Sequence, residues 1–222
     1  MQTRQSPRGR RVALLVGATG LTGSLLLPML LRSRAWSRVH VLARRTLSVQ
    51  HPKLQAHVVD FDALAALPLP AIDDVFVCLG TTIKVAGSRQ AFRRVDLDYV
   101  VDSARLARER GATRLAVVSA MGASARSPVF YNRVKGEMEA ALATLGYSSV
   151  TIVRPSFLDG ERPDSRPGER LALALARPLA PLIPKKYRAI PAAAVARAML
   201  QFVEEGAGGV RVVESDRLQA FA

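Results

Sequence analysis

The sequence predicts an α/β fold: a doubly wound parallel sheet with helices on both faces, in a single domain with a small C-terminal extension. Three observations predict it. Short apolar runs such as Val12 to Val16 end in glycine or a polar turn, the pattern of parallel strands buried on both faces. These runs alternate with stretches of helical length over most of the chain. Hydrophobic residues are 49% of 222, enough for one core, and aromatics only 5%, so that core is aliphatic.

In chain order, residues 1–10 are polar and basic and are expected to be a disordered lead-in to a domain over 11–222. Val12 to Val16 is the first strand, and Leu21 to Arg34 the first helix, with Pro28 an irregularity. Val39 to Leu42 and Ala56 to Val59 are the next strands. A short helix over Asp62 to Leu67 ends at Pro68 and Pro70. Asp74 to Leu79 is the fourth strand. Gln90 to Arg110 is one long helix stopped by Gly111. Leu115 to Ser119, a helix over Tyr131 to Leu145, and Val150 to Val153 follow. Glu169 to Ala180 and Ala192 to Glu205 read as helical, and Val210 to Val213 as a short last strand. Asp159 to Gly168, rich in Pro, Gly and Arg, is the expected mobile connection.

Composition narrows the function classes. The single cysteine, Cys78, lies in an apolar run and reads as a core thiol; no disulfide framework is available within the chain, which fits a reducing compartment. The net charge of +14 comes from arginines spread along the chain. No basic recognition helix accompanies it, which argues against nucleic acid. No apolar run reaches a membrane span of about 18 residues; Arg177, Pro178 and Pro181 interrupt the nearest, Leu171 to Ile183. Arg8, Arg10 and Arg11 before an apolar run imitate a secretory signal, but glycines split the run and Arg32, Ser33 and Arg34 follow where a small-x-small cleavage site would stand. A cytoplasmic location is expected. His40, His51 and His57 lack metal-ligand spacing, so no metal is expected. No G-x-S-x-G elbow supports a hydrolase.

The first strand feeds Gly17-Ala18-Thr19-Gly20-Leu21-Thr22-Gly23, which opens the first helix. A diphosphate needs a backbone that turns sharply, presents no Cβ and ends in free helix N–H groups. The motif therefore predicts a dinucleotide site and a Rossmann-type sheet. The second strand ends in Ala43, Arg44 and Arg45, where an acid would bind the ribose 2′-hydroxyl of NAD; guanidiniums suit a 2′-phosphate instead. NADP(H) is favoured over NAD(H). Asp60 would accept from the adenine amino group, with Phe61 packed nearby. Leu79, Gly80, Thr81 and Thr82 would pass the nicotinamide side, since ligands bind beyond the carboxyl ends of such strands.

Tyr131 and Lys135 form Y-x-x-x-K on one helix face. A lysine beside a phenol favours the phenolate and prepares it for general acid–base work. Ser119 ends the fifth strand on the same rim, where its hydroxyl would donate to a carbonyl oxygen.

Together the pieces GATGLTG, VLARR, VCLGTT, AGS-x-x-AF-x-x-VD-x-DYV, VVSAMGA, YNRVKGEME and RPSFLDG resemble the short-chain dehydrogenase/reductase superfamily. More narrowly, they resemble its atypical NAD(P)H-binding members grouped with the HIV Tat-interactive protein. The resemblance covers about residues 12–200. It implies a Rossmann fold and a Ser119–Tyr131–Lys135 catalytic set, with Tyr131 protonating a carbonyl oxygen as hydride arrives and Lys135 also bonding the nicotinamide ribose. Arg154, Pro155 and Ser156 resemble the loop that contacts the nicotinamide end. One departure is Asp96, near where the superfamily often carries asparagine. The other is the short chain: residues 155–222 alone form the substrate-side extension, so the substrate pocket is expected to be small, or open, or completed by another subunit; a small carbonyl or alcohol substrate is expected, and the resemblance allows a homodimer. Two further readings stay open: a cofactor-sensing regulatory module with little turnover, and a nucleotide-sugar epimerase or dehydratase.

Overall fold

The computed structural model describes residues 11–159 and 184–222. The basic lead-in over 1–10, the expected helix over Glu169 to Ala180 and all but the first residue of the Asp159 to Gly168 connection lie outside the described residues. Among the described residues the strands are β1 Arg11–Val16, β2 Trp36–Ala43, β3 Leu54–Val58, β4 Asp74–Val77, β5 Arg114–Val118, β6 Ser149–Arg154, β7 Leu158–Asp159, β8 Ile190–Pro191 and β9 Gly209–Glu214. The helices are α1 Leu21–Arg32, α2 Ile83–Ala86, α3 Arg89–Arg93, α4 Tyr99–Glu109, α5 Phe130–Ala143, α6 Ala192–Glu205 and α7 Ser215–Leu218.

Seven strands form one sheet in the order β3-β2-β1-β4-β5-β6-β9. Every neighbouring pair is parallel. The sheet therefore grows outward from β1 in both directions, and the order reverses between β1 and β4. That reversal opens a crevice at the strand tips, where this class of sheet binds ligands. Beside it β7 and β8 make a separate two-stranded parallel pair.

Alternation along β1 builds both layers. Leu14 and Val16 face one core with Leu42, Phe92, Val100, Leu115 and Met138, closed by α4 and α5. Ala13 and Leu15 face the other with Leu26, Leu30, Val41, Phe76, Val195 and Met199, closed by α1 and α6.

The expected long helix is present with a change inside it. α3 and α4 join through a π-helical stretch at Arg94–Asp98, which buries Asp96. The extra residue per turn breaks the 3.6-residue period, so periodicity alone reads through it. The short helix after β3 is a 3₁₀ helix, Phe61–Ala66. The last strand is a full member of the sheet, paired along β6.

Polar groups fasten the sheet away from the crevice. Trp36 begins β2 and donates its indole N–H to the fully buried Asp74 (2.6 Å). Arg114 Nε (2.6 Å) and Arg11 Nη1 (3.3 Å) reach the same carboxylate. Burial holds Asp74 above the usual carboxylate range, and the two guanidiniums offset this only in part. On the β2–β3 face, His40 Nδ1 and His57 Nε2 lie 2.9 Å apart with stacked rings. Burial first, then His57 and Arg38, push His40 down to about 4.

Candidate functional site

The glycine loop sits where β1 meets β4. Gly17 has φ +87°, and a Cβ there would lie 2.6 Å from the carbonyl carbon of Cys78. A Cβ on Gly23 would lie 2.1 Å from the Gly17 carbonyl oxygen. Both positions need glycine, one for conformation and close approach, the other for packing of helix on loop. Gly20 caps α1 without a side-chain bond, and the first turn holds no acid. The first helical bond closes at Ser24 N–H to Gly20 C=O (2.9 Å), so the amides of Leu21, Thr22 and Gly23 precede it and stay free for an anion. Thr19 is exposed and Ala18 buried beneath it. These features fit a dinucleotide diphosphate.

Around this loop the other strand tips carry the remaining candidates. Arg44 and Arg45 follow β2, both exposed, without a hydrogen bond or ion pair among the described residues. Asp60, past β3, is exposed, and its Oδ1 caps the 3₁₀ helix by accepting from Asp62 N–H (3.0 Å). Phe61 belongs to the core, with its ring 5.3 Å from that of Tyr99. Cys78 and Leu79 line the Gly17 loop through their backbones, and burial pushes the Cys78 thiol up to about 12, an inert group. Thr82 caps α2 by accepting from Val85 N–H (3.1 Å).

Asp96 joins this tip to α5. Its Oδ2 accepts from Thr81 N–H at 2.9 Å, and its Oδ1 lies 2.7 Å from Lys135 Nζ in a pair whose side chains are 1% and 4% exposed. A Cβ on Gly80 would stand 3.5 Å from Asp96 Oδ1 and 3.9 Å from Lys135 Nζ, so the glycine leaves room beside the pair. One turn earlier on α5, Tyr131 is half-buried, its ring 5.4 Å from that of Phe92. Its hydroxyl has no hydrogen-bond partner among the described residues. Gly136 lets the loop after β5 lie against α5, since a Cβ there would fall 2.1 Å from the Ser124 carbonyl carbon.

Ser119 is placed differently from the expectation. Its hydroxyl donates to Glu139 Oε1 at 2.5 Å, and both residues are buried. Glu139 also takes Arg154 Nε (2.9 Å) and Nη2 (2.5 Å), and Arg154 Nη1 reaches Glu214 Oε1 (3.0 Å). These bonds raise Arg154 above the usual guanidinium value, the Glu139 hydrogen bonds most of all. Arg154 thus ties β5, α5, β6 and β9 together, with its guanidinium held inside that network. The Pro155 carbonyl accepts from Met121 N–H (3.0 Å), and Ser156 donates to the Arg188 carbonyl (2.5 Å) while accepting from Ser215 (2.9 Å).

The structure therefore links the glycine loop, Leu79 to Thr82, Asp96 and Lys135 in a chain of successive contacts, with Tyr131 one turn away. It puts Phe61, Ser119 and Arg154 into packing or ionic roles. Glu139 and Glu214 escaped sequence reasoning. A signal existed for Glu139: it shares the buried face of α5 with Val134, Met138 and Leu142, and a carboxylate there needs a partner.

Comparison with known proteins follows the same lines. A family model described as NAD(P)H-binding matches residues 17–206. The chain is 37% identical over 207 residues to Protein HTATIP2 of Rattus norvegicus, covering 90% of this chain and 85% of that protein. It is 33% identical over 166 residues to the mitochondrial protein fmp52 of Emericella nidulans, 71% of each. Among solved structures, MoeE5 in complex with UDP-glucose and NAD superposes with a TM-score of 0.68 at 17% identity, covering 93% of this chain and 79% of that one. The oxidoreductase ylbE of Lactococcus lactis gives 0.64 at 18% identity, covering 94% and 95%. At these identities the structural likenesses show the fold.

Proposed function

Because the chain belongs to the NAD(P)H-binding family, among the atypical short-chain dehydrogenases/reductases, we propose that it is an NADP(H)-dependent oxidoreductase of a small carbonyl or alcohol substrate. The single observation that carries this reading is the arrangement on α5. Lys135 is buried and fixed by Asp96, and Tyr131, one turn before it, keeps a hydroxyl with no partner among the described residues. A half-buried phenol beside a fixed ammonium is equipped to give a proton to a carbonyl oxygen, or to take one from an alcohol.

The amides of Leu21 to Gly23 would hold the diphosphate, Arg44 and Arg45 the 2′-phosphate, and Asp60 the adenine amino group through its uncapped oxygen. Leu79 to Thr82 and Pro155 to Ser156 would flank the nicotinamide side. When bound, the dinucleotide supplies or accepts the hydride. Lys135 orients Tyr131 and the ribose side of the site. Ser119, spent on Glu139 in this structure, serves as a positioning residue. The NADP(H) preference rests on the two unpaired arginines. A cytoplasmic location and pairing of two chains are the remaining parts of the reading. The fungal relatives are named mitochondrial, and cell fractionation decides the location.

The test is turnover of a carbonyl panel with NADPH. Tyr131→Phe should cut kcat/KM by about 10²–10⁴ while NADPH affinity stays unchanged. Wild-type turnover retained in that variant overturns the mechanism, and cofactor binding without turnover of any carbonyl favours a sensing module instead.

A further inference from the structure

The polarity of the strand tips is divided. Free guanidiniums stand on the adenosine side, after β2. On the loops after β4, β5 and β6 stand large apolar side chains that no core covers among the described residues. Val85 is 77% and Phe157 76% exposed, and Ile83, Val129 and Tyr187 are exposed as well. α2, which carries Ile83 and Val85, buries none of its residues. Ala86 packs partly against the core, but Ile83 and Val85 stay exposed.

Named bonds gather these loops around the start of α5. The β4 loop reaches α5 through Thr81, Asp96 and Lys135. The β5 loop reaches it through Ser124 N–H to the Asn132 carbonyl (3.0 Å), and joins the β6 loop through Met121 and Pro155. Tyr187 belongs to the turn that leads into β8, whose Ile190 N–H bonds the Phe157 carbonyl (2.8 Å). Val129 caps α5 directly before Phe130 and Tyr131. Behind the phenol the wall is aromatic: Phe92 meets both Phe130 (5.9 Å) and Tyr131 (5.4 Å). Exposed apolar residues scattered singly need no explanation, but a set carried on loops that meet at the start of α5, the helix of Tyr131, marks a binding surface.

We infer that the substrate side of this site takes an apolar carbonyl compound, an alkyl or aryl aldehyde or ketone, its hydrocarbon part lying against Ile83, Val85, Val129 and Phe157. The inference rests on the proposed oxidoreductase reading for the word carbonyl, and on the rim alone for the word apolar.

Calorimetry with unreactive n-alkanamides, from butanamide to decanamide, tests it on the protein with and without saturating NADP+. The expected result is affinity rising about two- to fourfold per methylene. Val85→Asp and Phe157→Asp, both at exposed positions, should flatten that slope while melting temperature and NADPH affinity stay at wild-type values. A flat wild-type slope, a slope indifferent to both substitutions, or tighter binding of UDP-glucose than of decanamide overturns the inference. Absence of NADPH binding would sink the proposed function, while the chain-length slope still decides the rim.

Discussion

At the scale of single residues the site depends on a buried charge pair. Lys135 and Asp96 are nearly inaccessible and 2.7 Å apart. Removing one partner leaves the other charged and dry, which costs about 3–5 kcal/mol. Asp96→Asn should lose that much in urea denaturation, whereas the double change Asp96→Leu with Lys135→Met should recover most of it and remain inactive. Equal stability of Asp96→Asn and wild type would mean that the pair is open in solution. Arg44 offers the opposite case, an exposed cation without a partner among the described residues. Arg44→Ala should weaken NADPH binding about 10- to 100-fold, the size of a lost charge-assisted bond, and leave NADH unchanged in the same fluorescence titration. These residues differ in how far the sequence reveals them. Gly17 and Gly23 are legible because their need is a backbone need, tied to a strand–helix junction. Ser119 was legible as a rim residue, but its partner Glu139 comes from another element. Nothing in the spacing of Ser119, Glu139, Arg154 and Glu214 states that they meet.

At the scale of elements, the π-helical stretch and the histidine pair are tertiary features laid over correct local patterns. The stretch at Arg94–Asp98 widens a helix that the sequence reads as continuous, and by doing so it delivers Asp96 to the β4 loop and to α5. The pair at β2 and β3 makes stability depend on pH. His40 titrates near 6.5 in an unfolded chain and at about 4 in the fold, because burial disfavours its charge. Between those values the unfolded chain binds more protons, so stability falls as pH drops from about 6.5 towards 4. Burial lowers His57 too, in the same sense. Melting temperatures of wild type and His40→Leu over pH 4–7.5 check this: the acid loss should be smaller in the variant. Parallel curves would remove the histidine pair from the cause. The ionic tie from Glu139 through Arg154 to Glu214 likewise belongs to the elements it joins. Glu139→Leu should lower the melting temperature and release the Ser119 hydroxyl, with NADPH affinity little changed.

At the scale of the whole molecule, the strand order places every candidate group at one edge of one sheet. The order reverses between β1 and β4; the glycine loop and the arginine pair lie at carboxyl-terminal tips, and Lys135 on α5 is tied to the loop after β4 through Asp96. The far edge holds Asp74 with its arginines and serves cohesion. This division was open to sequence reasoning, because alternating strands and helices admit few topologies. The pairing of the last strand with β6 and the apolar rim were not, since each depends on which surfaces remain uncovered after folding. The most direct measurement is a calorimetric titration of the folded protein with NADPH and NADH side by side. Saturable one-to-one binding of both is expected, tighter for NADPH, with the gap closed in Arg44→Ala. No heat of binding from either dinucleotide at millimolar concentration would contradict the account.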